Sequence, residues 1–230
     1  MIILNRFDGI IFDFNGTLFF DSRYHESAWL YCANNELGFK IDRDFYYKNM
    51  HGRSNPEIYA ALYKKPVPKE QYHSFGQRKE EVYREMCRKG GDCRLAPGAE
   101  ELLGWLKEKN IPFMIATSSE KNNMDFFEEL FGLSKWFSKD RLLYDDGSFR
   151  GKPNPDIYLT AAKRLGFPPN RLIVAEDSHS GILAARAAGA GFILGVTEGD
   201  PSAFADGESC GAVINNFSDF NRELLMENHH

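Results

Sequence analysis

Residues 7–18 read FDGIIFDFNGTL. The stretch from Phe7 to Phe12 is short, apolar and isoleucine-rich, and it breaks off at Asp13-Phe14-Asn15-Gly16-Thr17. A short apolar run ending in an acidic residue and a glycine is the pattern of a buried strand feeding a tight loop. Two later stretches repeat it: Ile111 to Ala116 ends in Thr117-Ser118-Ser119, and Arg171 to Ala175 ends in Glu176-Asp177. Phe192 to Val196 and Ala212 to Ile214 read as two further strands. Between them lie helical segments at Glu100–Glu108, Asp125–Phe131, Pro155–Gly166 and Ile182–Ala188. Strands alternating with helices predict parallel βαβ units and an α/β fold, a doubly wound parallel sheet between helical layers.

One segment interrupts the alternation. After the first strand, Asp21-Ser22 supplies a helix start and every segment to about Cys93 reads helical, including the charged, periodic run Lys69 to Lys89. The expected organisation is a core of residues 1–19 and 94–230, with a small helical domain of residues 20–93 inserted after the first strand.

The chain has 230 residues, enough to bury a core without staples. Its 43% hydrophobic and 14% aromatic content excludes a disordered chain. A formal charge of −5 argues against a general nucleic-acid binder. No apolar run approaches the ~20 residues of a membrane helix, and no basic leader precedes the first apolar stretch. Four cysteines, Cys32, Cys87, Cys93 and Cys210, form no CxxC pair. They read as free thiols, and a cytoplasmic location is the expectation. Oligomeric state is not legible; a monomer is the working expectation.

In an open parallel sheet, ligands bind beyond the carboxyl ends of the strands. There the topology gathers Asp13, Thr117-Ser118 and Glu176-Asp177, with Lys152 in an intervening Gly-Lys-Pro loop. Each residue alone has an ordinary reading as a cap, a turn or a solvated charge. Together, three carboxylates at one edge repel one another unless cations intervene. Lys152 with a divalent, oxygen-seeking ion balances them, which suits Mg²⁺ and a phosphorylated ligand. Asp13 is then placed to attack phosphorus as a nucleophile, while Gly16-Thr17 lets backbone amides approach phosphate oxygens. Other motifs fail: Gly147 to Pro153 is one residue short of a P-loop, and Gly189 to Gly195 misses the dinucleotide spacing.

DFNGTL at Asp13–Leu18, the strand-end Thr117, Gly151-Lys152-Pro153-Asn154-Pro155-Asp156, and Glu176-Asp177-Ser178-His179-Ser180-Gly181 stand in order and well spaced. They resemble the four motifs of the haloacid dehalogenase superfamily, in its β-phosphoglucomutase-like phosphatase subgroup, and the helical insertion resembles that family's small cap. The resemblance implies a small phosphorylated metabolite, such as a sugar phosphate, as substrate. It implies Asp13 as nucleophile, Lys152 as the charge-neutralising lysine and Thr117 and Ser118 as phosphate ligands. Asp13, the position-15 carbonyl, Glu176 and Asp177 would be the metal ligands. His51-Gly52-Arg53-Ser54 resembles the substrate-specificity loop. His25 and Lys79 fall where the sugar phosphomutases place a hinge histidine and its lysine. The departure is Asn15, where the family's phosphatases and mutases carry an aspartate that works as acid and base. The expectation is a phosphatase with weakened acid–base catalysis. The alternatives are a sugar phosphomutase and a weakly active phosphate-binding or regulatory protein.

Overall fold

The computed structural model describes residues 7–51, 53, 55–201 and 210–225. Among the described residues β1 (Gly9–Phe12) comes first, followed by the α-helices α1 (Ser22–Tyr31), which runs on into a π-helical turn at Cys32–Glu36, α2 (Arg43–Asn49), α3 (Asn55–Tyr63) and α4 (Lys69–Gly90). Then come α5 (Ala99–Glu108), β2 (Phe113–Glu120), α6 (Lys121–Phe131), β3 (Leu142–Asp145), α7 (Asp156–Leu165) and β4 (Leu172–Glu176). The series ends with α8 (His179–Ala187), β5 (Phe192–Val196) and β6 (Ala212–Ile214). The chain divides into two compact units, Met1–Phe20 with Arg94–His230, and Asp21–Cys93.

The first unit is built on one parallel sheet in the order β3-β2-β1-β4-β5-β6. Every residue of β1 and β4 is buried, as a strand covered on both faces requires. Register pairs Ile11 with Met114 and Val174, so these alternate residues share one face. They join Ile157, Tyr158 and Ala161 of α7 and Ile182, Ala184 and Ala185 of α8 in one core. Ile10 and Phe12 point to the other face, where Phe12 meets Phe217 edge-on at 5.9 Å. The order reverses at β1: chain segments run outward through β2 and β3 on one side and through β4, β5 and β6 on the other. That switch point sets the carboxyl ends of β1, β2 and β4 side by side.

Two details depart from the sequence reading. β3 is a short strand carried by Leu142 and Leu143 at the sheet edge, with only Leu143 buried, so its apolar signal is two residues long. β2 runs past Ala116 through its polar tail to Glu120, and α6 starts directly at Lys121, four residues before Asp125.

The second unit buries Trp29, Ala33, Tyr46, Met50, Ile58, Tyr59 and Leu62 in its own core. Asp42 caps α2 by accepting the Phe45 amide at 2.8 Å. α4 is amphipathic over 22 residues and stops at Gly91, whose φ of 68° lies in the left-handed region. No helix among the described residues is long and apolar enough to cross a membrane. Tyr59 is fully buried and its hydroxyl has no hydrogen-bond partner among the described residues. A buried unpaired hydroxyl costs about 1–3 kcal/mol, so Tyr59→Phe should leave stability unchanged or raise it by about 1 kcal/mol, read from the thermal midpoint.

Candidate active site

The loop after β1 is held from below by aromatic rings. The Asp13 amide donates to the Ala175 carbonyl at 2.9 Å, extending the ladder between β1 and β4 by one step. Phe14 then turns inward and stacks on Phe127 at 4.4 Å, within a cluster that includes Phe19 and Phe131. The chain closes on itself: the Gly16 amide donates to the Phe19 carbonyl at 2.7 Å, and the Phe19 amide donates back to the Phe14 carbonyl at 3.0 Å. Burying Phe14 anchors the turn that carries Asp13 and Asn15.

Gly16 has a φ of 76°, and a side chain there would strike the Asp177 carboxylate. The glycine is therefore required twice, for its backbone conformation and for the room it gives Asp177. The Thr17 hydroxyl reaches Asp177 Oδ1 at 3.4 Å.

Asp13, Glu176 and Asp177 bring carboxylate oxygens within 4.8 Å of one another. Lys152 sits among them, its Nζ 2.6 Å from Asp13 Oδ1 and 2.5 Å from Glu176 Oε1. Glu176 has 0% exposure, and its remaining acceptor capacity is filled. The Tyr158 hydroxyl donates to Oε1 at 2.7 Å, and the Ser178 amide and hydroxyl reach Oε2 at 2.9 Å and 3.0 Å. A side chain at Gly181 would occupy the space of that carboxylate. Ser178 also caps α8, accepting the Gly181 amide at 3.1 Å.

Burial alone would discharge Lys152, but Asp13 and Glu176 outweigh it and hold the ammonium well above its ordinary value. Burial pushes Glu176 up, yet Lys152 prevails and holds its carboxyl below its usual value. Burial first, and Glu176 next, drive the Tyr158 phenol well above its usual range.

Among the sequence-predicted residues, the structure brings Asp13, Asn15, Gly16, Thr17, Lys152, Glu176 and Asp177 to one strand-end cluster. Thr117 is buried and its hydroxyl accepts the Ser119 amide at 3.1 Å, while Ser118 beside it is exposed. His25, Arg53 and Lys79 belong to the second unit. There His25 Nδ1 and Lys79 Nζ are 2.6 Å apart, and Arg53 is exposed, its guanidinium 3.4 Å from the Lys48 carbonyl. Gly52 and Ser54 lie outside the described residues.

Sequence reasoning passed over Ser119, Tyr158 and Ser178. Ser119 donates its hydroxyl to Asn15 Oδ1 at 2.6 Å, a contact across the sheet that no local pattern announces. Tyr158 looks like one more apolar position of α7 until its hydroxyl is placed on Glu176. Asp21 reads as a helix start, but it makes no side-chain cap bond. Instead it is buried, accepts the Tyr83 hydroxyl at 2.5 Å and lies 3.2 Å from His25 Nε2. The Tyr83 and His25 rings stack at 4.1 Å.

Three comparisons with known proteins agree on the family. The model of the haloacid dehalogenase-like hydrolases matches residues 7–189. A β-phosphoglucomutase of Bacillus subtilis is 31% identical, over 95% of this chain and 93% of its own. A phosphorylated carbohydrates phosphatase of Thermotoga maritima is 30% identical, over 82% of this chain and 85% of its own. The crystal structure of a family IA, variant 3 hydrolase from Entamoeba histolytica superposes with a TM-score of 0.88 at 36% identity, covering 94% of this chain and 96% of that one. The chain belongs to the haloacid dehalogenase-like hydrolases. It is an enzyme of the kind that includes phosphatases and phosphoglucomutases.

Removing Lys152 leaves Asp13 and a fully buried Glu176 without their shared cation. Breaking a buried pair in this way costs about 3–5 kcal/mol. Lys152→Met should therefore lower the unfolding free energy of the chelator-treated chain by that amount, measured in a urea titration.

Proposed function

We propose that this chain is a Mg²⁺-dependent phosphohydrolase for a small phosphorylated metabolite, with a sugar phosphate as the leading substrate class. The observation that carries the reading is the Asp13 carboxylate, tied by one oxygen to Lys152 and set within 4.8 Å of the Glu176 and Asp177 oxygens.

The donor set fits a hard divalent cation. It is all oxygen, and one lysine leaves it with excess negative charge. Asp13, Asp177 and the Asn15 backbone carbonyl would hold the ion. Glu176, whose oxygens already accept Lys152, Tyr158 and Ser178, would add charge and anchor the lysine. When bound, the ion supplies electrostatic neutralisation of the transferring phosphoryl group.

Asp13 attacks phosphorus, the bond to the leaving oxygen breaks, and an acyl phosphate forms on Asp13. Water then attacks that phosphorus, releasing phosphate and restoring the carboxylate. Lys152 orients Asp13 and balances charge on the phosphoryl oxygens. Thr17, Thr117, Ser118 and the amides of the Gly16 turn are the candidate phosphate ligands. Asn15 has no proton to give to a departing alkoxide. General acid–base help is worth about 10²–10⁴-fold, so the chain should favour leaving groups that depart as stable anions.

The second reading is a sugar phosphomutase. The 2.6 Å contact between His25 and Lys79 and the similarity to the Bacillus subtilis protein favour it. In the third reading, a phosphate-binding or regulatory protein, the same cluster binds its ligand without turnover.

The test compares this chain with Asn15→Asp on p-nitrophenyl phosphate and on glucose 6-phosphate, with Mg²⁺. Asn15→Asp should raise glucose 6-phosphate hydrolysis by about 10²–10⁴-fold and change p-nitrophenyl phosphate turnover far less. Interconversion of glucose 1- and 6-phosphates would favour the mutase, and phosphate binding without turnover by either chain the regulatory reading. Asp13→Ala should abolish every activity; a variant that still turns over overturns the nucleophile assignment.

A further inference from the structure

Cys87 and Cys93 lie at the end of the second unit and take no part in the chemistry above. Cys87 is on the last full turn of α4, with 1% exposure; Cys93 is half-buried. They are six residues apart, too far to meet along a continuing helix. The chain does not continue: Gly91 takes the left-handed conformation and turns the segment back along α4. The Cys93 thiol then lies 3.4 Å from the Cys87 carbonyl oxygen.

The turn is fastened on both sides. Asp92 accepts the Tyr24 hydroxyl at 2.5 Å and the Arg23 guanidinium at 2.6 Å. The Tyr24 ring lies against Gly90, where a side chain would collide with its hydroxyl. These contacts carry Cys93 back to the Cys87 carbonyl and hold it there.

We propose that Cys87 and Cys93 form a reversible disulfide-forming pair, with Cys93 as the thiol that meets a peroxide and Cys87 as the thiol that resolves it. The Cys93 thiolate attacks one peroxide oxygen, the O–O bond breaks, and hydroxide leaves, giving a sulfenic acid. The Cys87 sulfur attacks the Cys93 sulfur, the S–O bond breaks, and the leaving hydroxide takes the Cys87 proton as water. In sum, two thiols and one hydrogen peroxide give one disulfide and two waters. Two electrons pass from sulfur to peroxide oxygen.

The roles follow from exposure. Cys93 is the thiol a small oxidant can reach, and Cys87 waits beneath it. Burial raises the Cys87 thiol and keeps it protonated at rest, so it does not meet peroxide first. The bond would pin the last turn of α4 to the segment where the chain leaves this unit. It does not depend on the proposed reaction or on any metal.

The experiment treats the folded full chain with hydrogen peroxide, alkylates the remaining thiols and digests with trypsin. Cleavage after Arg84, Arg88, Lys89 and Arg94 separates Glu85–Arg88 from Gly90–Arg94. The expected result is these two peptides joined, two hydrogens lighter than their sum and parted by dithiothreitol. Joining should be at least about tenfold faster in the folded chain than in urea, because the fold supplies the proximity. Cys87→Ser should leave Cys93 as a sulfenic acid captured by dimedone, and Cys93→Ser should leave Cys87 alkylatable. Two free thiols after treatment, Cys93 joined to Cys32 or Cys210, or equal rates in folded and unfolded chain would each overturn the pairing.

Discussion

A single ammonium group holds the carboxyl end of the sheet together. Lys152 reaches from the segment before α7 to grip Asp13 at the end of β1 and Glu176 at the end of β4. Without it, adjacent central strands would end in like charges, one of them with no access to water. A lysine buried to this degree stays charged because two carboxylates face it, and Glu176 is held below its usual value because the lysine faces it. One contact therefore serves two carboxylates: the lysine that makes Glu176 tolerable inside the protein also fixes one oxygen of Asp13.

The sheet order makes the contact possible. Reversal at β1 places its carboxyl end between those of β2 and β4, so groups far apart in the chain converge without long loops. Local devices then refine the positions. Phe14 is buried among rings, which anchors the turn that carries Asp13 and Asn15. Glycines at 16 and 181 leave space for the two carboxylates of the Glu176-Asp177 pair. Each device is a packing fact with an electrostatic result.

Much of this was legible in the chain. Strand ends carrying Asp13, Thr117 and Glu176-Asp177 stand out because the topology gathers them at one sheet edge, although each alone has an ordinary reading. The alternation of strands and helices carries the topology with it. β3 was not legible because two leucines at a sheet edge make too small an apolar run to separate from a loop. Ser119 and Tyr158 were hidden for another reason. Their roles lie in partners 104 and 18 residues away, Asn15 and Glu176, and a hydroxyl's partner is decided by tertiary packing. Asp21 was read by its local chemistry as a helix start, and the fold used it as a buried acceptor for Tyr83.

The second unit carries a group with a built-in direction. The Lys79 ammonium has hydrogens to offer and no lone pair. Lying 2.6 Å from it, His25 Nδ1 can meet an ammonium only as an acceptor, and the tautomer that does so carries its hydrogen on Nε2, on the side of Asp21. Tyr83 stacked on the ring resists its rotation. The imidazole is thus a one-way connector between a carboxylate and a cation, and exchanging its two nitrogens would set donor against donor at one edge and acceptor against acceptor at the other.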